Sequence, residues 1–280
     1  MRGFGRVART IKAFLEQHGY YVHLGAWIDV IKDGKLVHDL QIGTWFAYRH
    51  PKRGAKASLY LFTEGPIPRY AKEWLKEYEY LLAPSRFVAQ QLEALDLPYI
   101  LMPVGIDVSE FVPLGMPKFI DVMSVGIWES SWDDRKFMNK VCEIAFPFTC
   151  YVHTRPTAPA NWMSYLYNMA KVYLSLSGAE GFNIPVLEAN ACGVPVVYND
   201  APATNEHAYG IGIKPKEVKE VEDRGYLLLI HVPDFEKIRE VLHKLLNDEK
   251  TLEQLGREAR QHALKYDYRE TYKPLLEILR

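Results

Sequence analysis

The apolar positions of this chain switch repeatedly between a spacing of about 3.6 residues and a spacing of 2, the marks of helices and strands. Val7, Ile11, Phe14 and Leu15 share one helical face that runs on to His18, and Gly19 stands where a glycine closes such a helix. YYVHLGAW then reads as a strand, and Asp33-Gly34 inside IDVIKDGKLVHDL marks a hairpin. SLYLFT is a strand, Arg69–Tyr80 an amphipathic helix, YLLAP a strand, and SRFVAQQLEAL a helix with Ser85 placed to cap it. YILMPVGID is a strand running into a Pro/Gly turn.

The second half repeats the pattern. FIDVMSVG and Phe146–His153 read as strands, and Asn161–Ala170 as a helix. VYLSLS is a strand in which Val172, Leu174 and Leu176 alternate, and VPVVYN and YLLLIHV are further strands. Phe235–Leu246 and Thr251–Lys265 are helices. Strands alternating with helices predict an α/β chain with parallel sheets covered on both faces. Two such series in 280 residues predict two Rossmann-like doubly wound domains facing a cleft, the ligand lying at the carboxyl ends of the strands. The boundary is expected within Met102–Gly115, where prolines and glycines gather.

Composition narrows the function. With 48% hydrophobic and 25% charged residues the chain is globular, and its net charge of −1 argues against nucleic acid as a partner. Lys and Arg outnumber Asp and Glu 14 to 10 over residues 1–103, and are outnumbered 20 to 25 over 104–280. The basic part suits an anionic membrane surface or an acidic substrate, and equally an ordinary solvated face. No apolar run reaches the roughly 18 residues of a membrane span, and MRGFGRVART lacks the apolar core of a secretory signal. Cys142, Cys150 and Cys192 have no CxxC spacing and an odd count, which predicts reduced thiols, no zinc site and a cytoplasmic setting, with peripheral membrane contact as an open alternative.

The richest chemistry lies in GAEGFNIPVLEANACGVPVV, residues 178–197. VYLSLS should end at the carboxyl edge of a sheet, Pro185 suits the first turn of a helix, and Gly193 suits its end. The loop between therefore meets a helix N-terminus, whose backbone N–H groups favour anionic oxygens. Glu180 in that loop and Glu188 one turn into the helix are carboxylates that accept hydrogen bonds from hydroxyls. Together these groups fit a ligand both hydroxyl-rich and anionic, such as a nucleotide sugar. The alternative is that Glu188 only complements the helix dipole and Glu180 is a surface residue.

The order S-x-x-E-G-F-x-x-P-x-x-E-A-x-A-x-G-x-P-V-V, from Ser177 to Val197, resembles the signature of the retaining glycosyltransferases of family 4, which have the GT-B fold. LLAPSRFVAQQLEAL resembles the stretch closing that family's first domain, MPVGIDVSEFVP its interdomain passage, and RGFGRVARTIKAFLEQHGYYVHL its N-terminal glycine loop and helix. ARQHALKYDYRETYKPLLEIL resembles the helix that crosses back to the first domain. The likeness is strong after residue 80 and weak across 25–70. It implies a GT-B protein with a reduced N-terminal, acceptor-side domain (1–103), a C-terminal nucleotide-sugar-binding domain (104–265), and a helix at 266–280 crossing back.

The resemblance also implies roles. Glu180 holds a donor-sugar hydroxyl, the backbone N–H groups of Gly181, Phe182 and Asn183 bind sugar and phosphates, and Glu188 holds the ribose. Gly3 and Gly5 let the backbone approach the donor. Arg135 and Lys136, in SVGIWESSWDDRKFMNK, neutralise the leaving diphosphate; the alternative is a charged helix start with Asp133 and Asp134. His153, Thr154 and Arg155 line the nucleotide pocket. Two departures from the family stand out. The strand that normally precedes the glycine loop is not seen before Met1, so either the first sheet lacks it or the chain starts late. The family's histidine near the reacting carbon is replaced by Glu64, with His50 as the other candidate. Trp27, Trp45 and Tyr48 are candidates for stacking on an acceptor.

The implied activity is metal-independent transfer of a sugar from a UDP- or GDP-sugar, with retention, to a hydroxyl acceptor: a glycan, a lipid or a small molecule. No cofactor is required. A non-catalytic sugar-nucleotide-binding partner subunit and a GT-B-type sugar-nucleotide epimerase are the alternatives.

Overall fold

The computed structural model describes residues 3–25, 27–45, 50–51, 55–126, 133–154, 160–223 and 225–280. The chain forms two compact units, one made of the chain up to Ile106 together with Tyr266–Arg280, the other of Asp107–Lys265.

In the first unit, helix α1 (Gly3–Gln17) buries Val7, Ile11, Phe14 and Leu15, the face its periodicity predicted. The helix begins at Gly3, so Gly3 and Gly5 occupy its first turn and form no loop ahead of it. A six-stranded sheet follows in sequence order: β1 (Tyr21–Leu24), β2 (Ile28–Lys32), β3 (Lys35–Gly43), β4 (Lys56–Leu61), β5 (Tyr80–Ala83) and β6 (Ile100–Leu101). The β2–β3 turn needs left-handed backbone at two successive residues, and Asp33 (φ 50°) and Gly34 (φ 73°) supply it. That hairpin makes β1–β3 antiparallel, while β3–β6 are parallel. The sheet is therefore mixed, the predicted hairpin lying beside the parallel strands that the strand–helix alternation predicted.

The helix expected over residues 69–80 is much shorter. A 3-10 turn at Arg69–Ala71 leads into α2 (Lys72–Leu75). Beyond it strand pairing wins: the Tyr78 hydroxyl donates to Gln41 Oε1 at 2.8 Å, and the Glu79 N–H bonds to the Ala57 carbonyl. Helix α3 (Arg86–Glu93) is capped as predicted, Ser85 Oγ accepting from the Val88 N–H at 3.2 Å. The chain's last segment packs on α1 through Tyr272, which is fully buried, lies 6.2 Å from the Phe14 ring and shares a 3.2 Å hydrogen bond with Thr10.

The second unit holds β7 (Ile120–Val125), α4 (Val141–Ala145), β8 (Cys150–His153), α5 (Ala160–Asn168), β9 (Ala170–Ser175), α6 (Ile184–Ala191), β10 (Val196–Asn199) and β11 (Gly210–Ile213). Its five strands are all parallel, in the order β11-β10-β9-β7-β8. The strand order reverses between β9 and β7, so the loops after these two strands leave the sheet in opposite directions and open a crevice at its carboxyl edge. Val122, Val172, Leu174 and Val197 pack on one side against Val141 and Ile144 of α4 and Ile238, Leu242 and Leu245 of α7 (Phe235–Leu246). YLLLIHV is a strand, but as β13 (Tyr226–Val232) it pairs antiparallel with β12 (Glu217–Asp223) in a separate ribbon. α8 (Glu249–Ala263) lies close on α6, and its Arg260 guanidinium donates to the carbonyls of Val108, Phe111 and Ala191.

The cysteines correct an expectation. Cys142 and Cys150 form a disulfide, with Cα atoms 5.5 Å apart, and only Cys192 is a free, buried thiol. Packing of α4 against β8 brings the pair together, which no spacing rule could show. The reduced-thiol argument for a cytoplasmic setting therefore falls away. Reducing this bond, or Cys142→Ser, is expected to destabilise the unit by about 2.5 kcal/mol from loop-closure entropy, read as a lower Tm under dithiothreitol. Among the described residues no helix is long and apolar enough to cross a membrane.

Candidate active site

The crevice loops carry the charged residues that the sequence singled out. After β9 the chain passes Ser177 and Gly178, reaches Glu180, and enters α6 at Ile184 with Pro185 in the first turn. Gly193 (φ 71°) follows the helix end. Gly178 is needed for space: its N–H donates to the Arg135 carbonyl at 2.7 Å, its carbonyl accepts from the His231 N–H at 2.9 Å, and a Cβ there would meet the His231 oxygen at 2.5 Å. The loop after β9 is thus tied to the turn that follows β7 and to the β12–β13 ribbon.

That tie puts three predicted residues together. Glu180 is 8% exposed, and its Oε1 accepts from Lys136 Nζ and Ser177 Oγ, each at 2.8 Å. Arg135 Nη1 lies 3.8 Å from Glu180 Oε2 and donates to the Ala179 carbonyl at 2.9 Å. Arg135 and Lys136 sit on a 3-10 turn at Asp133–Lys136, with side chains only 15% and 20% exposed, so they are not a solvated helix start. Burial alone would raise the Glu180 carboxyl, but the Lys136 and Arg135 charges and the bonds from Lys136 and Ser177 outweigh it and hold it below its ordinary 4.5.

A folded-state value below the unfolded one means that ionised Glu180 stabilises the fold above pH 4.5 and ceases to do so as pH falls through the lower folded value. Acid titration of wild type beside Glu180→Gln should therefore show their stability gap narrowing below pH 4.5. A gap independent of pH would contradict this.

Glu188 is buried in α6 (1% exposed) and accepts from the Tyr167 hydroxyl at 2.9 Å. The carboxylate is held by α5, so it is more than a complement to the helix dipole. Parallel pairing sets His153 beside Val125 at the carboxyl edge of the sheet. His153 is buried, with Nδ1 3.3 Å from the Tyr151 hydroxyl, and Thr154 follows it half-buried. Arg155 lies outside the described residues. The Asn183 side chain turns inward, donating to Ser175 Oγ at 2.9 Å and Thr204 Oγ1 at 3.3 Å, so it is the backbone of residues 181–183 that follows Glu180 into the helix.

The other predicted residues belong to the first unit. Glu64 is half-buried in the turn after β4, beside Thr63, whose hydroxyl donates to the Gly65 carbonyl. His50 is an exposed ring with Nδ1 2.8 Å from Glu77 Oε2. Trp45 is buried with its ring 5.8 Å from that of Tyr70, which stands 5.5 Å from Trp74. Trp27 is half-buried, and Tyr48 lies outside the described residues. Among the described residues no cluster of three His, Cys, Asp or Glu fits a metal ion.

Residues 156–262, which carry the Glu180 loop and α6, match the family model for glycosyl transferases group 1. "Putative glycosyltransferase 41" of Sulfolobus islandicus filamentous virus is 27% identical over 211 residues, covering 70% of this chain and 63% of the relative. "Putative glycosyltransferase ORF300" of Acidianus filamentous virus 1 is 33% identical over 94 residues, 32% of this chain and 31% of the relative. This chain spans less than two thirds of the length of these curated relatives. Among solved structures, sucrose-phosphate synthase from Thermosynechococcus elongatus aligns over 85% of this chain and 72% of its own, with TM-score 0.63 at 14% identity. Anabaena HepE in complex with UDP-glucose aligns over 80% and 72%, with TM-score 0.61 at 12% identity. The pneumococcal O-GlcNAc transferase GtfA, in complex with UDP and GlcNAc, aligns over 93% and 69%, with TM-score 0.58 at 12% identity. At these identities the structures show a shared fold. The family model matches residues 156–262, the curated relatives share part of their length with this chain, and the solved structures share its fold.

Proposed function

We propose that this chain transfers a sugar from a nucleotide-sugar donor to a hydroxyl acceptor with retention of anomeric configuration. The observation that carries the proposal is Glu180, a buried carboxylate held by Ser177, Lys136 and Arg135 at a strand-to-helix turn, inside the segment matched to glycosyl transferases group 1. In this reading Glu180 orients the donor sugar through a hydroxyl, and the backbone N–H groups of Gly181, Phe182 and Asn183 receive sugar and phosphate oxygens. Glu188 takes the ribose while keeping its bond from Tyr167, since a carboxylate has about four acceptor positions.

Arg135 and Lys136, which lie on Glu180 in the free protein, reach the diphosphate when the donor binds and neutralise the charge that develops as it departs. The sugar C1–O bond to the diphosphate breaks and the acceptor oxygen bonds to C1 on the same face. The acceptor's proton passes to the diphosphate. His153 and Thr154 border the nucleotide. Two of the similar structures are named with UDP or UDP-glucose, which makes UDP-sugars the first donors to test and GDP-sugars the next.

A thermal-shift screen of UDP-, GDP-, ADP- and dTDP-sugars on wild type and Glu188→Ala tests the reading. One donor class should raise the wild-type Tm and leave the variant unmoved. No shift with any donor would contradict the proposal.

A further inference from the structure

The loop proposed to receive the donor is held from behind by His207, a residue to which the motif gives no role. His207 follows the 3-10 turn Thr204–Glu206 after β10 and is 1% exposed. Its ring lies flat on that of Phe182, with centroids 3.9 Å apart and 7° between the planes. Its Nε2 is 3.0 Å from the Asn183 carbonyl oxygen. A carbonyl only accepts, so Nε2 carries the proton and donates. Burial pushes the imidazole down to about 4, against the hydrogen bonds to backbone that favour its charged form, so the ring stays neutral at ordinary pH.

His207 is itself anchored. Its carbonyl accepts from His262 Nε2 on α8 at 3.0 Å. A continuous chain therefore runs from α8 through the His207 peptide and ring to the Asn183 carbonyl. The Asn183 side chain is fixed separately by Ser175 and Thr204. The Asn183 side chain, the Asn183 carbonyl and the neighbouring Phe182 ring are thus all held. Binding groups on a loop need such support, since small misplacements weaken them sharply.

We propose that His207 is a positioning residue for the donor, setting the backbone of Gly181–Asn183 so that its N–H groups meet the sugar and phosphates. The inference rests on the donor reading of that loop given above.

The test is the kinetics of nucleoside diphosphate release from UDP-glucose, or from GDP-mannose if UDP-glucose is not turned over. His207→Phe keeps a flat ring on Phe182 and loses the N–H; His207→Gln keeps an N–H of similar reach and loses the ring. His207→Phe should raise the donor KM about tenfold, the worth of one hydrogen bond, and His207→Gln should return it to within roughly threefold of wild type. Should His207→Phe fail to fold, His207→Asn, too short to reach the carbonyl, takes its place with the same expected rise. A KM unchanged in these variants, with kcat falling only as the folded fraction falls, overturns the positioning role and leaves the donor reading standing. A wild type that neither binds nor turns over any nucleotide sugar overturns both.

Discussion

Glu180→Gln is expected to lower sugar transfer by about two to three orders of magnitude while donor affinity changes little. Glutamine fills the same space but carries no charge. It hydrogen-bonds to a sugar hydroxyl less strongly than a carboxylate does, and it no longer holds Lys136 and Arg135 at their present places. Both consequences fall on the reacting geometry, so kcat should drop further than KM rises. Stability should fall as well, by roughly 1–3 kcal/mol, because two largely buried cations lose their counter-ion. Turnover within a fewfold of wild type, measured on protein shown to be folded, would remove Glu180 from the mechanism.

Arg135→Gln combined with Lys136→Gln should affect donor binding and turnover together. The pair is proposed to face the diphosphate both before and after the bond breaks, so nucleoside diphosphate affinity should fall at least tenfold and turnover by about three orders of magnitude. The double variant also leaves Glu180 buried without its cations, a cost of about 3–5 kcal/mol. Adding Glu180→Gln should restore most of that stability and none of the activity. This separation is the useful part of the experiment. If the triple variant regained turnover, the cations would be serving the fold and not the leaving group.

The parts of the molecule legible in its sequence are those governed by neighbours along the chain. The Ser85 cap, the Asp33-Gly34 turn, the α1 face and the loop-to-helix turn from Ser177 to Gly193 each depend on a few consecutive residues. Features set by distant contacts were hidden. His207 reaches Asn183 across 24 residues, and His231 reaches Gly178 across 53. No periodicity announces either. The strand YLLLIHV was visible but its partner was not, because the exposed, charged β12 lacks the apolar alternation that would have shown the ribbon. The Cys142–Cys150 bond depends on α4 packing against β8. α2 ends early because Tyr78 and Glu79 find partners on Gln41 and Ala57, a choice made by the sheet. Arg135 and Lys136 are neighbours in sequence, and the tight turn that carries them lets both approach one carboxylate.

The central claim is transfer from a nucleotide sugar at the Glu180 loop. Its most direct test is to incubate wild type and Glu180→Gln with α-linked UDP- and GDP-sugars and simple hydroxyl acceptors, following nucleoside diphosphate release and the configuration at C1 of the product by NMR. The account predicts release about two to three orders of magnitude faster by the wild type than by Glu180→Gln, with an α-linked product. A β-linked product would contradict retention, and no release with any donor would contradict the transferase itself.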